Sequence, residues 1–124
     1  MVDVDRFKEV NDRFGHAVGD DVLRRLGGML LSMTRATDMA VRLGGDEFML
    51  LLSGRGRMDV ASRGEELVTL VRAYPWSDLV DGLQVTVSAG AAVGPAQNVT
   101  ALLSEADHHM YTAKSQGRDR LVHG

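Results

Sequence analysis

Residues 39–52 read MAVRLGGDEFMLLL. Two apolar runs, Met39–Leu43 and Phe48–Leu52, flank the pair Gly44-Gly45. A diglycine between two such runs is a turn signal, because glycine reaches the positive φ angles that a tight hairpin needs. The stretch therefore predicts a β-hairpin. It also puts two carboxylates, Asp46 and Glu47, in or just after the turn.

Working outward, Met1–Val4 reads as the end of a strand. Phe7–Phe14 reads as a short helical turn closed by Gly15. Beyond it, Val18, Val22, Leu23, Leu26, Leu30 and Met33 follow helical spacing, with Asp20 and Asp21 near the positive end of that helix. Downstream of the hairpin, a helix is expected over Val60–Ala73, ending before Pro75. Val85–Val93 is rich in valine and small residues and reads as a strand. A helix from Val99 to Gln116 carries Leu102, Leu103, Ala106, Met110 and Ala113 on one face, and Gly117 caps it. Arg120–His123 reads as a last short strand. The order is β, α, β-hairpin, α, β, α, β. This is an α+β pattern, and a ferredoxin-like or palm-like sheet with helices packed on it is the expected architecture.

Composition narrows the function classes. The 124 residues suit one domain, covering 1–124, and 44% hydrophobic with 25% charged residues fits a packed globular core. Cysteine is absent, which excludes disulfide scaffolds, thiolate zinc sites and cysteine nucleophiles. Fourteen Lys and Arg against seventeen Asp and Glu give a net charge of −3, so no nucleic-acid polymer is expected as a partner. No apolar run is long enough for a membrane segment, and MVDVDRFKEV at the N-terminus has no signal-peptide core. A cytoplasmic location is the expectation.

Asp3 and Asp5 end the first strand. If that strand pairs with the hairpin, they converge with Asp46 and Glu47 at one end of the sheet. Clustered carboxylates raise one another's pKa unless a cation intervenes. Oxygen ligands of this kind suit Mg²⁺ or Mn²⁺, and two such ions activate a hydroxyl and stabilise an in-line phosphoryl transition state. Other metal and phosphate motifs fail. An EF-hand loop is excluded by Phe7, Lys8 and Phe14 at ligand and glycine positions. No Walker loop, dinucleotide-binding glycine motif or H-E-x-x-H occurs. His108 and His109 point to different helix faces and read as packing or surface residues. Lys114 and Arg118 lie around the C-terminal end of the last helix, where cations already favour the dipole.

The pattern Asp3-Val4-Asp5-Arg6-Phe7-Lys8-Glu9-Val10-Asn11-Asp12, then Gly15-His16, Gly19-Asp20 and Gly44-Gly45-Asp46-Glu47-Phe48, resembles the GGDEF-domain family, the diguanylate cyclases. Thr86-Val87-Ser88-Ala89-Gly90 and Ala113-Lys114-Ser115-Gln116-Gly117-Arg118-Asp119-Arg120 extend the likeness along the whole chain. The resemblance implies GTP as substrate and cyclic di-GMP as product and inhibitor, formed where two domains face each other in a homodimer. It implies Asp3, Asp46, Glu47 and the Val4 carbonyl as ligands of Mg²⁺ or Mn²⁺, two ions in each half-site. Asp46 or Glu47 would assist deprotonation of the attacking hydroxyl. Asn11 and Asp20 match guanine-recognising positions. Lys8, Lys114 and Arg118 match phosphate-holding positions, and Gly44 and Gly45 let the turn approach the nucleotide. Arg35 and Asp38 match an inhibitory product site, and Arg42 is expected to add to it.

Relative to that family, a leading helix and the start of the first strand are expected to be missing ahead of Asp3. An attached regulatory domain is expected in the parent protein. The rival reading is a catalytically inactive module that binds GTP or cyclic di-GMP as a receptor. An RNA-binding module on the same architecture needs aromatic residues on the sheet face, and the chain has six aromatics with none in that pattern.

Overall fold

The computed structural model describes residues 1–54 and 56–124. Its elements are β1 (Val2–Val4), α1 (Phe7–Phe14), α2 (His16–Ser32), β2 (Met39–Arg42), β3 (Glu47–Leu51), α3 (Arg57–Ala73), β4 (Val87–Ala91), α4 (Val99–Ser115) and β5 (Arg120–His123). The strands form one sheet in the order β2-β3-β1-β4-β5. All neighbours are antiparallel except β4 and β5, which run parallel. The first four strands give the ferredoxin-like order, and β5 extends that sheet at the β4 edge.

Strand alternation sorts the sheet into two faces. Val2, Val4, Phe48, Val87 and Ala89 point into the main core with Val22, Leu26 and Leu30 of α2 and Leu67 and Val71 of α3. Asp3, Asp5, Ser88 and Gly90 lie on the opposite face, where α4 packs. Gly90 fixes that packing: a Cβ there would sit 2.1 Å from the Ala106 carbonyl oxygen, so only glycine lets the helix backbone come down onto the strand.

Most sequence expectations hold. The helices fall on the apolar periodicities that predict them, and Phe48 is core while Phe7 packs against its edge. The break between α1 and α2 falls at Gly15, whose φ of 95° suits glycine, so Phe7–Phe14 is a full helix of its own. Strand β4 is shorter than expected. Val85 and Leu83 are buried without joining the ladder. His109 is a packing residue, its Nδ1 2.8 Å from the Ala91 carbonyl.

Strand β1 is only three residues long, between two five-residue strands. Beyond Met1, between β3 and β4, lies an apolar cavity of about 670 Å³ lined by Met49, Leu51, Ala92, Leu102 and Leu103 among others. It is at the opposite end of β1 from the carboxylates that follow. Among the described residues, no helix is long and apolar enough to cross a membrane.

Candidate active site

Asp3 is the centre of the arrangement. It stands in the middle of β1, opposite Glu47 of β3 on one side and Ser88 of β4 on the other. Its carboxylate accepts a hydrogen bond from Lys114 Nζ of α4 at 2.5 Å, and the residue is 6% exposed. Burial pushes its pKa up to about 6; the nearby Asp46 carboxylate adds to the rise and Lys114 opposes it. Strand pairing brings Asp3 and Asp46 into one electrostatic environment, whereas Asp5, expected to converge with them, is taken up by Thr86, Ser88 and the Asp119 N–H instead.

The backbone leaves a further oxygen at this place. The Val4 N–H donates to the Asp46 carbonyl at 3.0 Å, but the reciprocal bond from the Asp46 N–H to the Val4 carbonyl is not made. The donors gathered here are hard oxygens with one partly buried ammonium among them. Glu47 lies across from Asp3 in register. Among the described residues, no three acidic or histidine side chains are drawn together closely enough to enclose an ion.

The diglycine turn differs from the expected tight hairpin. Residues 43–46 form a four-residue connection, and neither Gly44 nor Gly45 takes a positive φ. The loop closes instead through Leu43 and Gly44 N–H groups donating to the Glu47 carbonyl. The Arg42 guanidinium clasps it, with Nε donating to the Gly44 carbonyl at 2.9 Å and Nη2 to the Gly45 carbonyl at 2.8 Å. Arg42 therefore pins the turn and is not grouped with Arg35. A Cβ at Gly44 or Gly45 would meet no atom of the described residues within 4 Å. The described residues give no steric reason for either glycine.

The α1–α2 corner carries Asn11 and Asp20. A Cβ on Gly19 would lie 1.9 Å from Asn11 Oδ1, so the Asn11 amide rests directly on the α2 backbone. Asp20 follows one residue later and is exposed. Lys8 is exposed in the first turn of α1, a helix with no side-chain N-cap. A cation at that end opposes the helix dipole.

Arg118 sits in a loop of three consecutive residues with positive φ: Gly117 at 120°, Arg118 at 67° and Asp119 at 50°. The Arg118 N–H caps α4 by donating to the Ala113 carbonyl at 3.0 Å. Among the described residues its guanidinium makes no hydrogen bond or ion pair. Sequence reasoning missed what holds this loop. Asp5, buried, accepts from the Asp119 N–H at 3.0 Å, Thr86 Oγ1 at 2.7 Å and Ser88 Oγ at 2.6 Å. Arg72 of α3 donates to Asp119 Oδ2 at 2.8 Å and to its carbonyl at 3.3 Å. The two-residue spacing of Asp3 and Asp5 signals a shared face, but nothing in the sequence marks the partner loop.

Arg35 and Asp38 form a separate cluster beyond the other end of the hairpin. Asp38 accepts from the Arg35 N–H at 2.9 Å and from the Ser53 N–H at 3.1 Å, and its side chain is fully buried. The Arg35 guanidinium lies 3.7 Å from Asp38, bonds the Ser53 carbonyl at 3.1 Å and stays half-exposed.

Comparison with known proteins identifies the family. Residues 1–120 match the family model described as diguanylate cyclase, GGDEF domain. The chain is 37% identical over 127 aligned residues to the response regulator PleD of Caulobacter vibrioides, covering 98% of this chain and 28% of that protein. It is 34% identical to diguanylate cyclase DgcZ of Escherichia coli, covering 98% of this chain and 42% of that protein. The chain thus spans well under half the length of these relatives. The crystal structure of the GGDEF domain of DgcB from Caulobacter crescentus in complex with c-di-GMP superposes with a TM-score of 0.88 at 30% identity, covering 98% of this chain and 74% of that one.

Proposed function

The chain belongs to the GGDEF domain family of diguanylate cyclases, and from that premise we propose that it condenses two GTP molecules into cyclic di-GMP. Each of two domains, facing each other across a two-fold axis, holds one GTP. The 3′-hydroxyl of one attacks the α-phosphate of the other; a new O–P bond forms and the bond to pyrophosphate breaks. Repeating the step closes the ring and releases the second pyrophosphate. A product with two-fold symmetry suits a C₂ catalyst, each subunit giving half of the site.

The meeting of Asp3 and Asp46 beside Lys114 carries this reading. Asp3, Asp46, Glu47 and the Val4 carbonyl fit Mg²⁺ or Mn²⁺ as hard oxygen donors, and we assign two ions to each half-site. The raised pKa of Asp3 is the strain a cation would relieve. Such ions, when bound, supply Lewis-acid polarisation and a more acidic attacking hydroxyl. Asp46 or Glu47 accepts the hydroxyl proton.

The remaining assignments are those the family resemblance implies, and the chemistry of the residues suits them. Asp20 and Asn11 recognise guanine, since a carboxylate accepts from N1–H and the 2-amino group, donors that adenine lacks at that edge. Lys8, Lys114 and Arg118 hold the phosphates. For Lys8, a bound anion offsets its conflict with the α1 dipole. For Arg118, a guanidinium without a partner among the described residues is open to a phosphate. Gly44 and Gly45 leave room for the nucleotide against the turn, consistent with the open space where their Cβ atoms would lie. Arg35 and Asp38 form the site where cyclic di-GMP inhibits. Residues 1–124 act as the catalytic domain of a cytoplasmic protein whose other parts regulate it.

The test is incubation with GTP and Mg²⁺, with cyclic di-GMP measured by mass spectrometry. Product from the wild-type chain and none from Asp46→Asn is the expected result. Binding of GTP or of added cyclic di-GMP without product would support the receptor reading, and no product with binding of neither nucleotide would overturn both.

A further inference from the structure

We propose that Asp5, together with Arg72, is a positioning residue that sets the orientation of Arg118 toward the nucleotide phosphates. The inference rests on the assignment of Arg118 to the phosphates. Loop 117–119 takes a backbone form that side chains with a Cβ resist, and two of its three residues, Arg118 and Asp119, carry one. Such a form persists only where the surroundings over-determine it. Here three elements do so. The end of α4 holds the Arg118 N–H. Helix α3 holds the Asp119 side chain and carbonyl through Arg72. The residue after strand β1 holds the Asp119 N–H through Asp5.

The Asp5 link is the deepest of these. Its carboxylate is buried and takes three donors, two from hydroxyls beside β1 on β4 and its entry, and one from the loop. The hydroxyls fix the carboxylate, and the fixed carboxylate fixes the loop. The backbone of Arg118 is thereby tied to the strand that carries Asp3, while its guanidinium has no partner among the described residues. Asp5 touches no reacting group in this scheme. It keeps the cation of the loop in register with the carboxylates of β1, so that one nucleotide meets both.

The experiment compares the affinities of GTP and of guanosine, each measured by competition against a fluorescent GTP analogue in Mg²⁺. Asp5→Ala is expected to weaken GTP about tenfold while leaving guanosine unchanged, because guanosine has no phosphate for Arg118 to meet. In an Arg118→Ala background the same change should cost nothing further, the signature of two residues acting as one. Equal loss for GTP and guanosine, or full additivity with Arg118→Ala, would overturn the inference. If Asp5→Ala does not fold, Arg72→Ala removes the second hold from an exposed site. It should weaken GTP about threefold and spare guanosine, and unchanged GTP binding there would overturn the inference equally. Normal GTP affinity in Arg118→Ala alone would instead remove the phosphate assignment of Arg118, a separate failure.

Discussion

Lys114 Nζ lies 2.5 Å from Asp3 Oδ2, a contact between residues 111 positions apart that joins α4 to the central strand. The lysine side chain is a third exposed and the aspartate is almost wholly covered. An ammonium so placed neutralises part of the charge that Asp3 and Asp46 bring together. It also stands on the carboxylate that a divalent cation would bind. Two cations repel at that distance, so metal and lysine compete for Asp3 unless the lysine finds another anion. The phosphates of an incoming nucleotide are such an anion.

Lys114→Ala is therefore expected to act in opposite directions on two ligands. Without nucleotide, Mn²⁺ should bind about threefold to tenfold more tightly, since the competing ammonium is gone. GTP with Mg²⁺ should bind about tenfold more weakly, since a phosphate partner is gone. Isothermal titration of each ligand separates the two effects. Unchanged Mn²⁺ affinity would remove the competition, whatever happens to GTP.

The pKa of Asp3 has a defined consequence for stability. It is raised from 3.8 to about 6 in the folded chain, so between those values the folded state binds more protons than the unfolded. Stability contributed by the protonated form is full below pH 3.8 and is lost as pH rises through about 6. Asp3→Asn, which stays neutral, should raise the melting temperature at pH 7.5 by a few degrees and have little effect near pH 4. Mg²⁺ should raise the wild-type melting temperature at pH 7.5 and lose that effect below about pH 5, where protons hold the carboxylate. Melting curves at the two pH values, with and without Mg²⁺, check both statements. A destabilised Asp3→Asn at pH 7.5 would mean that the Lys114 bond outweighs the burial penalty.

How far the sequence revealed this site varies with the kind of interaction. The Gly44-Gly45 signal located the hairpin, because alternating apolar runs define strands locally. It misjudged the turn, because the loop closes on the Glu47 carbonyl without positive φ at either glycine and the Arg42 guanidinium pins it from outside the backbone pattern. The sequence put Asp3 and Asp5 together at the end of the first strand, which needs no tertiary knowledge. Their different partners stayed hidden. Lys114 and the Asp119 N–H reach them only through the order β1-β4-β5 and the seating of α4 on Gly90. Val85 was legible as apolar and buried, but burial does not decide whether a residue joins a ladder.

Gly19 tests the guanine assignment from the scaffold side. Its missing Cβ is the space that Asn11 Oδ1 fills at 1.9 Å. Gly19→Ala must push the Asn11 side chain away or part α1 from α2. Helix propensity alone would make the change favourable by about 1 kcal/mol, so any loss of stability measures the clash. A net loss of about 1–2 kcal/mol in urea denaturation is expected, with GTP affinity falling more than the affinity for inorganic pyrophosphate. A stabilised variant with normal GTP binding would show that Asn11 need not sit on α2.

Arg35 and Asp38 are expected to separate into different roles when each is changed. The Asp38 side chain is fully buried and accepts backbone N–H groups from Arg35 and Ser53, so it ties the entry of β2 to the exit of β3. Asp38→Ala leaves those donors without their acceptor and should cost about 1–3 kcal/mol of stability. The Arg35 side chain is half-exposed, and Arg35→Ala should change stability by less than about 0.5 kcal/mol. If cyclic di-GMP inhibits here, Arg35→Ala alone should raise the inhibitory concentration about tenfold or more while leaving uninhibited turnover intact. Thermal melts and inhibition curves on the two variants distinguish these effects. An unaltered inhibition curve in a folded Arg35→Ala would leave the pair as a clasp between two strand ends and nothing more.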